Sequence, residues 1–144
     1  MDGHPLRGTL LPPRVVLYRR ALASYRRDGH AHKVNVDGRV GELAGVIYHD
    51  DRKPFARWKA SQMSYMPLEA EKLRSTAFGA LSFPDKVRRL VIVAPFVVAV
   101  YCLFVKGLIL DGPRGWYYVY QRMLAEFLLS LALLRHMFRL SQKG

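Results

Sequence analysis

The chain has 144 residues, about half of them hydrophobic, with 23 Lys and Arg against 11 Asp and Glu, a formal net charge of +12. That length suffices for one domain with a real core, and the charge implies an anionic partner: nucleic acid, acidic lipid headgroups or a phosphorylated substrate. A single cysteine, Cys102, excludes an internal disulfide and a cysteine-rich zinc site, and reads as a small buried apolar residue.

Residues 1–13 carry Pro5, Pro12 and Pro13 and read as an extended lead-in. They lack the apolar core of a signal peptide, and so abrupt a start reads as a chain that once continued upstream. Residues 14–19, RVVLYR, have the β-branched and aromatic composition of a strand. Residues 20–27 read as a short helix or turn, closed by Asp28-Gly29. Residues 33–37 alternate polar and apolar, the period of a half-buried strand. Asp37-Gly38 is a hairpin signal, and 39–48 supply a return strand, which predicts a hairpin over 33–48. Such a unit is too thin to bury both faces of a sheet and must pack on something else.

His49-Asp50-Asp51-Arg52-Lys53-Pro54 is the densest polar cluster. Asp51 is placed to cap a helix that runs from Phe55 to about Met66, with Pro54 near its first turn. Phe55, Trp58, Gln62 and Tyr65 fall on one stripe of that helix. Pro67 is expected to kink or restart it, and 68–74 are good helix formers. Ser82-Phe83-Pro84-Asp85 is a second helix start.

Residues 90–110 form the longest apolar stretch, uncharged as far as Val105 and preceded by Lys86, Arg88 and Arg89. As one helix they would extend roughly 30 Å, enough to cross a hydrocarbon layer. The block over 116–134 is interrupted by Gln121, Arg122 and Glu126, the last two spaced to pair. It fits a helix packed on the first, or lying in the membrane interface, better than an independent crossing. Lys86, Arg88 and Arg89 with Trp116, Tyr117 and Tyr118 are the expected membrane anchors, and anionic lipids the expected partner. Basic residues at both ends of the pair place those ends at the cytoplasmic face. The competing reading is a buried core helix and its amphipathic cover in a soluble protein.

The fold class expected is therefore α+β, in three parts: a β-rich unit over 1–53, an amphipathic helical linker over 54–81, and an apolar membrane-associated helical hairpin over 82–144. Candidates for chemistry are His30, His32, His49, Asp50 and Asp51. Hard oxygen ligands beside His49 suit magnesium or manganese bridging a diphosphate. A solvated loop that caps the next helix explains the same residues. Arg52, Lys53, Arg57 and Lys59 could hold phosphates or form a solvated helix face. No nucleic-acid motif accompanies the charge, so nucleic acid is the least favoured partner.

Several of these residues carry a resemblance. The run Pro13-Arg-Val-Val-Leu-Tyr-Arg-Arg20, Tyr25, Asp28-Gly29-His30 and the stretch 34–40 come first. Then follow Ile47-Tyr-His-Asp-Asp-Arg-Lys-Pro54, Trp58, Gln62, Tyr65 and Glu69. In this order they resemble the C-terminal part of bacterial family 2 glycosyltransferases of lipopolysaccharide-core and other cell-envelope assembly. Lys106-Gly107 through Asp111-Gly112 to Gly115 resembles a connector in that family's membrane-associated tail. The resemblance implies inverting transfer of a sugar from a nucleotide-sugar to a lipid-linked acceptor at the bacterial inner membrane, assisted by magnesium or manganese. It also implies that His30 or His49 closes over the diphosphate or metal and that Arg52 and Lys53 contact phosphate. The family's nucleotide-binding domain, with its Asp-x-Asp metal site, has no counterpart in this sequence. No catalytic base is assigned, and the chain alone is expected to be inactive. A small basic membrane or scaffold protein without catalysis remains the alternative.

Overall fold

The structure, a computed structural model, describes residues 3–45, 47 and 52–141, the last five as backbone only. The lead-in is irregular, as its prolines dictate, and it docks onto the helices. Leu6 and Leu10 pack on a cluster of Ala99, Cys102, Leu103, Leu108 and Val119. The Arg7 N–H donates to Asp111 Oδ2 at 2.9 Å, and the Leu10 N–H donates to the Tyr118 hydroxyl at 2.9 Å.

After a 3-10 turn at Arg20–Leu22, two antiparallel strands form a hairpin, β1 (Ala23–Asp28) and β2 (Ala31–Val36). Asp28 faces Ala31 across a two-residue turn of Gly29 and His30. The hairpin expected over 33–48 is thus displaced upstream. Its turn is Gly29-His30 and not Asp37-Gly38. The Asp37 N–H instead closes the ladder onto the Leu22 carbonyl at 2.8 Å. Residues 14–19 form no strand, and neither do the described residues of 39–48. Strand propensity needs a pairing edge and a covered face, and these segments have neither. The Gly29 turn has both a left-handed φ of +62° and an outside contact, because a Cβ there would collide with the Glu69 carboxylate.

Helix α1 (Phe55–Ser75) follows extended backbone at Pro54 and runs unbroken through Pro67. The expected kink is absent because Pro67 and Met63 both lie on the exposed side, where water can satisfy the carbonyl left without its N–H. The stripe of Phe55, Trp58, Gln62 and Tyr65 is half-buried and continues into buried Met66, Glu69, Ala70 and Leu73. Helix α2 (Phe83–Arg88) begins as its start signal predicts. The Asp85 N–H donates to Ser82 Oγ at 3.4 Å, and Ser82 Oγ donates back to Asp85 Oδ2 at 2.9 Å.

The apolar stretch over 90–110 is not one helix. Val91 takes a φ of +52°, costly for a β-branched residue, and the buried Ser130 hydroxyl holds its carbonyl. Helix α3 (Val93–Val100) then starts with Pro95 in its first turn, passes into a π-helical turn at Tyr101–Val105, and stops at Gly107 with a φ of +69°. A 3-10 turn, Leu108–Asp111, leads into α4 (Gly112–Ser141). Among the described residues no single helix is long and apolar enough to cross a membrane. Val93–Val105 and Leu108–His136 meet that test only together, bent by 75°.

Helix α4 lies between two partners. Met66, Ala70 and Leu73 of α1 and the following Leu81 join Leu129 and Leu133 in one core, and Phe55 stacks on Tyr120 at 6.0 Å. On its other side Phe96 meets Phe127 edge-on at 5.9 Å, and Ala99, Cys102 and Leu103 meet Val119. The architecture is a two-stranded hairpin followed by packed helices, hence α+β.

Gly29→Ala should cost about 1–2 kcal/mol from the left-handed backbone alone, with the Glu69 collision added. Amide exchange in detergent should then rise across β1 and β2 while the α4 amides keep their protection.

Candidate functional site

The hairpin turn sits on α1 because Glu69 binds it twice. The His30 N–H donates to Glu69 Oε1 at 2.8 Å, and His30 Nδ1 lies 2.7 Å from the same oxygen. The His30 ring stacks on Tyr65 at 4.5 Å. One helical turn apart, Tyr65 and Glu69 thus grip backbone, ring edge and ring face of a single residue.

From that turn a path of alternating charge crosses the protein. Asp28 pairs with Lys33 and with Lys72, whose Nζ lies 2.8 Å from Asp28 and 3.2 Å from Asp85. Asp85 pairs with Arg88 at 3.3 Å. Arg88 donates to both Glu126 oxygens at 3.0 to 3.2 Å. Arg122 stands 3.9 Å from Glu126. The path links β1, β2, α1, α2 and α4. Glu126 is nearly fully buried, with its side chain 4% exposed. Hydrogen bonds from Lys33 and Lys72 hold the Asp28 carboxyl down to about 2. Burial would raise Asp85, but Ser82, Lys72 and Arg88 outweigh it and leave its carboxyl below the usual range. Lys72 is likewise raised overall, because Asp28 and Asp85 outweigh its own burial.

Beside this path, between the hairpin turn, α1 and α4, lies a cavity of about 140 Å³ lined by His30, Gln62, Tyr65, Glu69, Arg122 and Glu126, with Met66, Ala125 and Leu129 as apolar walls. The Arg122 Nε is buried behind that lining without a hydrogen-bond partner among the described residues. A wider, more open groove of about 730 Å³ runs along the hairpin and α2, edged by Arg26, Arg27, Lys33 and Lys72.

Of the sequence candidates, His30, Gln62, Tyr65 and Glu69 come together at the cavity, though they are spread over 40 residues of chain. His32 is exposed on β2 and does not line the cavity. Arg52, Lys53, Arg57 and Lys59 are exposed around the start of α1. His49, Asp50 and Asp51 lie outside the described residues. Among the described residues no group of three His, Cys, Asp or Glu side chains could hold a metal ion. Arg88, expected as a membrane anchor, is turned inward onto Glu126 and Asp85. Lys86 and Arg89 flank the exposed Phe78 ring at 5.5 and 5.9 Å. Trp116 and Tyr117 are exposed, while Tyr118 turns inward to hold Leu10. The cross-helix partners Asp28, Lys72 and Asp85 were not legible as a group, since each reads alone as a solvated helix or turn charge. Comparison with family models, with curated proteins and with solved structures finds no match.

Arg88→Met should destabilise the protein by about 3 kcal/mol, because it leaves the buried Glu126 carboxylate without its main partner. Arg88→Met with Glu126→Leu should recover most of that loss in a denaturant titration followed by circular dichroism.

Asp28 and Asp85 titrate below their unfolded values. Their stabilising contribution is complete above about pH 4 and is lost as pH falls toward 2. The melting midpoint of Asp28→Asn should fall less steeply with acid over that window than the midpoint of the parent.

Proposed function

We propose that this chain is the membrane-seated C-terminal part of a family 2 glycosyltransferase that adds a sugar to a lipid-linked or cell-envelope acceptor at the cytoplasmic face of the bacterial inner membrane. The observation that carries the membrane seat is the outer face of α3 and its π-helical turn. Leu90, Ile92, Val93, Phe96, Val97, Val100, Tyr101, Phe104, Val105 and Leu110 are each at least 40% exposed. Soluble monomers rarely leave so continuous a set of large apolar side chains in water. A bilayer covers it at no cost to the fold.

The bend argues for a re-entrant or interfacial seat over a straight crossing. Helix α4 would lie near the headgroups, with α3 on its lipid side and α1 on its water side. Trp116, Tyr117 and Tyr120 suit that depth, since each buries a ring and keeps a polar tip wet. Lys86 and Arg89, beside the exposed Phe78 ring, suit anionic headgroups.

The glycosyltransferase reading is supported by the clustering of the motif residues. His30, Gln62, Tyr65 and Glu69, which carry the resemblance, meet around one cavity beside the membrane-seated helices. In this reading the donor-binding domain, its magnesium or manganese and the catalytic base belong to a nucleotide-binding domain whose motifs this sequence lacks. The present chain holds that domain at the surface where a lipid-linked acceptor is found. His49, Asp50, Asp51, Arg52 and Lys53 remain candidates for the donor diphosphate.

The chain should stay in the pellet after carbonate extraction of membranes. Val100→Asp with Phe104→Asp, at two exposed positions, should release it with its helical content unchanged. Deleting its coding region should leave envelope glycolipids one sugar short by mass spectrometry. Unchanged glycolipids would overturn the glycosyltransferase reading and leave the scaffold alternative.

A further inference from the structure

We infer that the outer edge of β1 takes up an extended, acidic segment of a partner protein as a third strand. The inference does not depend on the glycosyltransferase reading. It stands on the register of the hairpin, the exposure of β1 and the charges around it.

The register decides which backbone groups are free. The Asp37 N–H donates to the Leu22 carbonyl, so these two residues form a hydrogen-bonded pair. In an antiparallel ladder such pairs alternate with non-bonded ones. Ser24 with Asn35, Arg26 with Lys33 and Asp28 with Ala31 are therefore the bonded pairs that follow. The N–H and C=O groups of Tyr25 and Arg27 point away from β2, and among the described residues they have no partner. Ser24 to Arg27 are all exposed, whereas β2 keeps Val34 and Val36 half-buried. Neither a proline nor a bulge guards this edge. The groove of about 730 Å³ passes along it, since Arg26 and Arg27, on opposite faces of β1, both line the groove while β2 contributes Lys33 alone.

The charges name the occupant. Arg26 stands directly opposite Lys33, a like-charge pairing that destabilises a hairpin until an anion joins it. Lys33 has Asp28 beside it, but Lys72 draws on the same carboxylate. Arg26 has no ion pair among the described residues, and Arg27 donates only to the Gly29 carbonyl at 3.3 Å. Of the other acids lining the groove, Asp85 is held by Lys72 and Arg88, and Glu71 belongs to the α1 wall. The β1 edge is thus left cationic. An added strand sets successive side chains on opposite faces, so two adjacent acidic residues would meet Arg26 and Arg27, one each. The same two arginines repel a second copy of this edge, which disfavours self-pairing.

The test uses the full chain, labelled with nitrogen-15, in phosphatidylcholine nanodiscs. The probe is the peptide STVEEVTS. One control is the same peptide N-methylated throughout, which keeps its charge and side chains but removes every strand donor. The other is an eight-nucleotide single-stranded DNA. The peptide should bind saturably and slow the exchange of the Tyr25 and Arg27 amides, leaving the Ser24, Arg26 and Asp28 amides nearly as they were. Tyr25→Pro removes an outward donor that the free fold does not use, so the melting midpoint should hold while peptide binding weakens about fivefold, the loss of one hydrogen bond. Tyr25→Phe, which gives up only the hydroxyl contact with Tyr18, should bind like the parent. Arg26→Glu with Arg27→Glu should weaken binding about tenfold or more. The inference is overturned if the peptide leaves exchange at Tyr25 and Arg27 unchanged, or if the N-methylated peptide binds as tightly. It is equally overturned if the DNA binds more tightly than the peptide, which would assign the arginines to nucleic acid.

Discussion

Arg88 and Glu126 form the contact on which the rest of the arrangement depends. Arg88 ends α2, and Glu126 lies in the middle of α4, almost wholly buried. A carboxylate in that position is tolerated only if it is paired and hydrogen-bonded. Arg88 meets both oxygens and also reaches back to Asp85. Through Asp85 and Lys72 the same network reaches Asp28 in the hairpin. A small β-unit with no second sheet to cover it is thereby fixed to the helices by ion pairs and by the grip of Glu69 on His30, in place of an apolar core of its own.

The network also marks the boundary between two environments. Directly after Arg88 the chain turns at Val91, and beyond it the exposed side chains are almost all apolar. On the hairpin side of the boundary charged, polar and apolar side chains are exposed together. Helix α4 bridges the two, packing α1 on one side and α3 on the other. Strain at Val91, Pro95 in the first turn of α3 and the left-handed Gly107 shorten and bend the apolar segment. Such a bend suits a helix that dips into one leaflet, where lipid accommodates exposed Phe and Val while the backbone bonds remain internal. In the proposed membrane seat the cavity at His30 and Gln62 would open near the headgroups.

Sequence patterning made some of this legible and hid the rest. The stripe from Phe55 to Tyr65 and the Ser82 cap are local signals, and both appear as expected. Asp28-Gly29 and Asp37-Gly38 are equally good turn signals in one dimension. What separates them is Glu69, 40 residues away, which accepts the His30 N–H and sets its carboxylate where a Cβ at position 29 would stand. Hydropathy suggested one long helix over 90–110, because it weighs composition and ignores backbone conformation. Pro95 and Gly107 were the available clues to the breaks. The inward turn of Arg88 was beyond reach, since a basic residue before an apolar run looks the same whether it meets lipid phosphate or a buried glutamate. Of the site, His30 was singled out as a histidine, and Gln62, Tyr65 and Glu69 through the resemblance. The part of Arg122 was not, because its spacing to Glu126 suggested a simple helix pair.

The central claim is that the outer face of α3 lies in lipid while α1 lies in water. It is tested most directly by tryptophan depth in a bilayer. A chain with Phe104→Trp, Trp58→Phe and Trp116→Phe carries one reporter on the outer face of α3, and Trp116→Phe alone leaves Trp58 on α1. In vesicles of acyl-chain-brominated phospholipid, the account predicts strong quenching and a blue-shifted spectrum at position 104, with much weaker quenching at Trp58. Equal, weak quenching at both positions, with position 104 open to aqueous acrylamide, would contradict it.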